Sequence, residues 1–359
     1  MLIRKLVLIS LLFTTFFSRT SGQHLIAYYS GNARQIREYP VNRLSQIIFS
    51  FCHINGNRLM VNSRSDSLTI RTLVGLKKKN TSLKILLSLG GWGGCKTCSD
   101  VFSTDSGRTE FVESVFALNE YFHTDGIDLD WEFPSMAAFP EHPFLTEDKI
   151  HFNMLIMAMR KRLGPVKEIS VICAGFSPYL EGSLDLRAIA SYVNRINLMT
   201  YDLIGSKTHF SGHHSSLYST SWQAGSADRA VRYLDSLKIP RNKITIGVAL
   251  YARLYEISEN HDHGLRQPAR FKKFVTDKDI RKYYTDARGY KTYWDEEAKA
   301  AYKYNERENV FLTYDDERSV AAKVAYVKDK GLDGIFFWEL RLDKPHGGLP
   351  DVLAREMYK

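Results

Sequence analysis

Cysteine is scarce, with four in 359 residues, too few for a fold held together by disulfides. Cys95 and Cys98 make a single C-x-x-C pair. With no second pair to complete a ligand set, a zinc site is not expected. Proline is also scarce, at ten, and no Pro/Ser/Thr-rich stretch marks a linker or an appended module. Beyond the first two dozen residues no apolar run approaches the ~20 residues a membrane span needs. There is no low-complexity tract and no internal repeat, which excludes solenoids and propellers. The formal net charge is +9, but clusters such as Lys77-Lys78-Lys79 read as solvated helix ends. The charge is therefore read as solubility, and no nucleic-acid partner is expected. With 44% hydrophobic and 13% aromatic residues, a large core can form.

The N-terminal segment has its own logic. Arg4 and Lys5 precede an apolar run over 6–17, and the small residues Thr20 and Gly22 follow. This pattern predicts a signal peptide over 1–22 and an exported product, secreted or periplasmic, with no membrane attachment after cleavage. Outside the cytosol, Cys95 and Cys98 are expected to form a local disulfide. Cys52 and Cys173 lie in strand-like runs and read as small core residues.

Near-continuous apolar runs recur at 25–29, 47–51, 85–89, 126–131, 169–174, 196–200, 244–250 and 334–338. Such runs fit strands buried on both faces of a parallel sheet. Most are followed by helical periodicity, as at 109–121, 149–163, 228–237 and 319–328. Eight β-then-α units predict a (β/α)8 TIM barrel, one catalytic domain over 23–359. The rhythm breaks over about 254–311, a stretch rich in Tyr, Lys and Asp. It reads as a small α+β insertion after strand 7. Residues 346–359 read as the last turn and a closing helix.

The strongest local signal is Asp125-Gly126-Ile127-Asp128-Leu129-Asp130-Trp131-Glu132. Side chains alternate faces along a strand, so Asp128, Asp130 and Glu132 share one face and Ile127, Leu129 and Trp131 the other. Three acids turned into a barrel are costly to bury as charges and raise one another's pKa. Glu132, nearest the mouth, should hold its proton at neutral pH beside Asp130 and act as a general acid. Three carboxylates on one strand stand too close and too parallel for octahedral metal coordination, so no metal is expected.

This octet resembles the D-x-x-D-x-D-x-E signature of glycoside hydrolase family 18, the chitinase family. Further motifs of that family follow in its order: Ser88-Leu89-Gly90-Gly91-Trp92, Asn197-Leu198-Met199-Thr200-Tyr201-Asp202, Tyr251-Ala252-Arg253 and Trp338. The resemblance implies a substrate-assisted hydrolysis of β-1,4-linked N-acetylglucosamine chains, outside the two-carboxylate scheme of most glycosidases. It implies Glu132 as acid and base, Asp130 as the orienter of the 2-acetamido group, and Asp128 sharing a proton with Asp130. Tyr201 would donate to the acetamido oxygen. Tyr28, Phe51, Trp92, Met199, Asp202, Tyr251, Arg253 and Trp338 would bind the sugar. No cofactor is implied, the partner is a saccharide containing N-acetylglucosamine, and the protein is expected to act as a monomer. Asn32, Ala252, Phe336 and Arg341 depart from the family's common residues, which argues against processive attack on crystalline chitin. The same acids would suit an endo-β-N-acetylglucosaminidase acting on N-glycans or peptidoglycan-type sugars. A lectin on this barrel typically lacks the glutamate. Asn80-Thr81-Ser82 is a glycosylation sequon, meaningful only in a eukaryotic secretory route.

Overall fold

The computed structural model describes residues 23–140, 142–259 and 261–359; the expected signal segment lies outside them. Eight strands form the barrel: β1 (His24–Tyr29), β2 (Gln46–Asn55), β3 (Lys84–Gly90), β4 (Gly126–Asp130), β5 (Glu168–Ala174), β6 (Arg195–Met199), β7 (Ile244–Ala249) and β8 (Gly334–Trp338). Each pairs in parallel with its sequence neighbour, and β8 pairs back onto β1, which closes the ring. The fold is the (β/α)8 barrel that the apolar runs imply, with boundaries shifted by a few residues. β4 stops at Asp130, one residue short of the expected end, and β2 runs on to Asn55.

Helices return the chain between strands. Arg64–Gly75 follows β2, Asp105–Phe122 follows β3, and Asp148–Leu163 follows β4. Ser63 and Thr104 cap the first two by accepting from Asp66 N and Gly107 N. Asp316 and Ser319 form a reciprocal capping box that starts Glu317–Lys330, and Gly331 in the left-handed region ends it. After β1 two short 3-10 turns, Gln35–Glu38 and Val41–Arg43, take the helix position. Leu349–Met357 closes the chain.

The period of two divides the strands between two cores. Leu25, Ile47, Leu87, Ile127, Ile169, Ile196 and Ile335 face the helices. Ile26, Ile48, Leu86, Ile172 and Phe336 fill the barrel. The insertion is a five-stranded antiparallel sheet in the order Ala269–Thr276, Tyr251–Ile257, Val310–Tyr314, Ala300–Asn305, Lys291–Asp295, with a helix at Asp277–Tyr283. Only Leu250 separates the end of β7 from the insertion's first strand in the chain. Arg253, in the motif expected after strand 7, is therefore held on a second sheet that leaves the mouth. Cys52 and Cys173 are buried free thiols, and Cys95 and Cys98 are disulfide-bonded with Cα atoms 5.1 Å apart. No helix among the described residues is long and apolar enough to cross a membrane.

Candidate active site

Alternation along β4 builds the site. Asp128 and Asp130 point into the barrel at 0% and 4% exposure, while Ile127, Leu129 and Trp131 join the outer core. Glu132 stands two residues past the strand end, half-buried at the mouth. Register decides what Asp128 meets: Ser88 of β3 and Ser170 of β5 are its direct neighbours. Ser170 Oγ donates to Asp128 Oδ1 at 2.5 Å and Asn197 Nδ2 at 3.2 Å. Ser88 Oγ and Tyr28 Oη each donate to Oδ2 at 3.0 Å. Asn197 is fixed in turn by donating to Tyr28 Oη at 3.0 Å and accepting from Thr245 Oγ1 at 2.7 Å. Burial raises the Asp128 carboxyl above its ordinary pKa, and these four donors work against that rise. The expected proton sharing between Asp128 and Asp130 is not made as a hydrogen bond, because the serine, tyrosine and asparagine donors occupy both oxygens of Asp128.

Asp130 has the opposite environment. Its Oδ1 is buried with no hydrogen-bond partner. Burial, and then the charges of Glu132 and Asp128, push its pKa well above the usual range. Glu132 is pushed up to about 8, first by burial and then by the charge of Asp202. Asp202 is thus a further neighbour that sustains its proton, beside the expected Asp130, whose own rise comes in part from the Glu132 charge. Asp202 itself stays ionised. Burial alone would raise its pKa, but His214 and Arg253 outweigh burial and hold it below the usual range. Arg253 Nε donates to Asp202 Oδ1 at 2.6 Å and Tyr251 Oη at 2.8 Å; His214 Nδ1 lies at 3.5 Å. Arg253 Nη1 is buried and unpartnered. Tyr201 stands in the field of Asp130, Glu132, Asp202 and Asp128, and burial and those charges keep its phenol protonated.

Aromatic rings make the floor. Trp338 lies 5.6 Å from Phe51 in a stacked arrangement and 5.8 Å from Tyr28. Tyr201 meets Tyr251 at 6.1 Å and Phe336 at 6.0 Å. Met199 is buried in the same inner cluster. The two glycines after Ser88 are required by close approach. A Cβ on Gly90 would sit 2.2 Å from the Asp130 carbonyl oxygen and one on Gly91 2.4 Å from the Phe51 ring, and both residues have positive φ. Trp92 is not brought into this cluster. It is 58% exposed and packs edge-on against Phe139 at 5.6 Å.

Sequence reasoning missed Phe133, Phe176 and Tyr179, which join the inner cluster and pack on one another, Phe133 and Tyr179 at 4.5 Å. Phe133 and Phe176 each fall within three residues of a strand end, a signal that was available. His214 was also missed, and nothing in its local sequence points to Asp202. Among the described residues no group of His, Cys, Asp or Glu side chains is placed to hold a metal ion.

A mouth lined by unpaired buried polar atoms, a protonated glutamate and stacked rings suits a sugar with an amide substituent. The family model for glycosyl hydrolases family 18 matches residues 24–343. The chain is similar to chitotriosidase-1 of Mus musculus, 31% identical over 325 residues that cover 86% of this chain and 68% of that protein. It is similar to chitinase A1 of Niallia circulans, 32% identical over 299 residues that cover 77% of this chain and 43% of that protein. It thus spans less than half the length of one of these relatives and about two thirds of the other. A solved family 18 N-acetylglucosaminidase from Paenibacillus barengoltzii superposes with a TM-score of 0.84 at 30% identity, covering 93% of this chain and 99% of that one. The chain belongs to glycosyl hydrolases family 18 and is a glycoside hydrolase of the chitinase type.

Proposed function

We propose that the protein is an exported enzyme that hydrolyses β-1,4-linked N-acetylglucosamine chains with retention of anomeric configuration. The observation that carries this reading is the pairing of a protonated Glu132 at the mouth with an unpartnered Asp130 oxygen beneath it. Glu132 gives its proton to the glycosidic oxygen as the C1–O bond breaks. The 2-acetamido oxygen of the same sugar forms the new bond to C1 and leaves an oxazolinium ion. Asp130 accepts the acetamido N–H and orients the group, and Tyr201 donates to its oxygen. Glu132, now ionised, takes a proton from water, whose oxygen attacks C1 and opens the ring with the original configuration. Asp128 anchors the strand beneath. Asp202, Tyr251 and Arg253 hold the sugar in place, and Trp338 stacks under it beside Tyr28, Phe51 and Met199.

The test is hydrolysis of soluble N-acetylglucosamine oligomers by the wild type and by Glu132→Gln, with the product anomer followed by NMR. Release of the β-anomer by the wild type, with a nearly inactive variant that still binds, supports the reading. Release of the α-anomer overturns the mechanism. Binding without cutting by the wild type points to a lectin. The similarity to a solved N-acetylglucosaminidase favours, as a second reading, stepwise release of single N-acetylglucosamine units. Product lengths separate the two, and N-glycans serve as the comparison substrate. Export rests on the 1–22 pattern, and the N-terminal sequence of protein recovered from the medium tests it. The enzyme acts as a monomer in this reading, which its sedimentation tests.

A further inference from the structure

The lower end of the barrel, opposite the mouth, holds a cavity of about 540 Å³, within the size range of small-ligand sites. Its floor is a polar network. Arg195 donates to Asp333 Oδ2 at 2.5 Å, to Gln46 Oε1 at 2.7 Å and to Glu168 Oε2 at 3.3 Å; Lys84 pairs with Glu168 and His24 with Asp333. The two carboxylates are matched by Arg195 and Lys84. Left over is a donor: Gln46 Nε2 has no partner although the residue is only 1% exposed, and it lines the cavity. The remaining capacity around it consists mainly of donors. Ser45 Oγ already accepts from Leu25 N and keeps its own hydrogen. Lys84 has N–H groups beyond its one ion pair. Arg43 stands at the rim with no ion pair among the described residues.

Two wider features fit the same ligand. Residues 24–90 contain ten Lys and Arg against only Glu38 and Asp66, a net charge of +8, and of these cations Arg43 and Lys84 line the cavity. Beside Arg43, the half-exposed Tyr358 ring lines the cavity and is fixed by its hydroxyl, which donates to Arg43 O at 2.9 Å. Asn80 donates to Val41 O at 3.1 Å and to Leu44 O at 2.9 Å. Its amide holds the rim loop in place, and a glycan on the sequon would cost it one of those bonds.

We propose that this cavity is a second saccharide site, separate from the catalytic cleft, that takes an acidic sugar bearing a carboxylate or sulfate. The anionic group meets Gln46 Nε2, Arg43 and Lys84, the ring lies against Tyr358, and its hydroxyls meet Ser45 and Asn42. The sugar is either a free acidic monosaccharide or a unit of a polyanionic chain.

The test is calorimetric titration with glucuronic acid, a heparin-derived disaccharide and neutral N-acetylglucosamine. It is run in the Glu132→Gln variant with and without chitotetraose, which that variant should not cut. Saturable binding of either acidic probe is expected, weakened by salt and unaffected by chitotetraose; the probe that binds identifies the source. Arg43→Glu weakens it by about tenfold or more, a 1.4 kcal/mol change, and Gln46→Leu also weakens it. Arg43→Glu alone leaves chito-oligosaccharide hydrolysis unchanged. Absence of binding by both acidic probes, displacement by chitotetraose, or binding that Arg43→Glu does not alter would each overturn the proposal. Arg43 is exposed, so its variant carries the test if Gln46→Leu does not fold.

Discussion

At the lower end of the barrel, Glu168 and Asp333 lie against Arg195, with Lys84 and His24 completing the pairs. At the upper end, the Glu132 charge raises Asp130, neither acid has an ion pair among the described residues, and the Arg253 guanidinium is given to Asp202. The same buried ring of strands thus supports one carboxylate group that is matched and another that is not. Asp333 is held below its ordinary pKa, largely because His24 and Arg195 outweigh burial, while Asp130 and Glu132 are raised. Even one strand shows both treatments: Asp128 accepts four hydrogen bonds and Asp130, two residues on, accepts none. A buried acid that serves the fold is given partners. One that serves chemistry keeps its cost, because a partner would remove the raised pKa that makes it useful.

Exchange experiments at the two ends sharpen this contrast. Glu132→Gln should lower kcat on chito-oligosaccharides by about 10³-fold with little change in binding. Retention of a tenth of the activity would make the upper acids structural as well. At the lower end, Arg195→Met leaves Glu168 with Lys84 alone and Asp333 with His24 alone, and urea unfolding should show a loss of up to about 3–5 kcal/mol. The folded fraction should still hydrolyse at nearly the wild-type rate. Asp130→Asn is the mirror case. It should cost about 10²-fold in kcat/KM and stabilise the protein by about 1 kcal/mol, since it removes a buried carboxyl whose raised pKa costs stability at neutral pH. A destabilised Asp130→Asn protein would mean that Asp130 is paired after all.

The barrel was legible because buried parallel strands are apolar throughout and because their helices keep a regular period. The faces of β4 were legible for the same reason: a period of two leaves no freedom once one side is Ile127, Leu129 and Trp131. What could not be read was pairing across the ring. Ser170 and Thr245 are ordinary residues in their own strands, and only register puts one beside Asp128 and the other beside Asn197. His214 reaches Asp202 from a loop tied to the insertion, where its backbone N–H donates to Thr313 Oγ1 at 3.0 Å. The Asp202 charge that also raises Glu132 was therefore not legible, while that of the sequence neighbour Asp130 was. Trp92 was placed in the cleft by its motif, although its position after two positive-φ glycines turns it toward solvent and Phe139.

The pH profile separates those two neighbours. A general acid must be protonated, so kcat/KM should be flat at neutral pH and fall as pH rises through about 8, the value at which Glu132 loses its proton. Asp202→Asn removes the negative charge that raises Glu132 and leaves Arg253 unbalanced. Both changes favour the ionised glutamate, so the alkaline limb should move to lower pH. An unmoved limb would leave the role to Asp130 alone. Stability carries the same sign: between the unfolded pKa of a glutamate and about 8, the folded state binds the extra proton. Rising pH therefore destabilises the wild type across that window, and Glu132→Gln should abolish that part of the slope.

The smallest effect belongs to Trp92, the predicted sugar contact that the structure leaves outside the inner cluster. Its ring is more than half exposed and touches Phe139 by an edge, so Trp92→Ala should change stability by less than about 0.5 kcal/mol. If the ring serves only long substrates, KM for a hexamer should rise about threefold, near 0.6 kcal/mol, with kcat unchanged and the dimer unaffected. A loss that is equal for dimer and hexamer would place Trp92 against the sugar held over Trp338. The loop would then have to close by turning at Gly91 and Gly93, both in the positive-φ region, and the contrast between a fixed floor at Trp338 and an open rim at Trp92 would not hold in the complex.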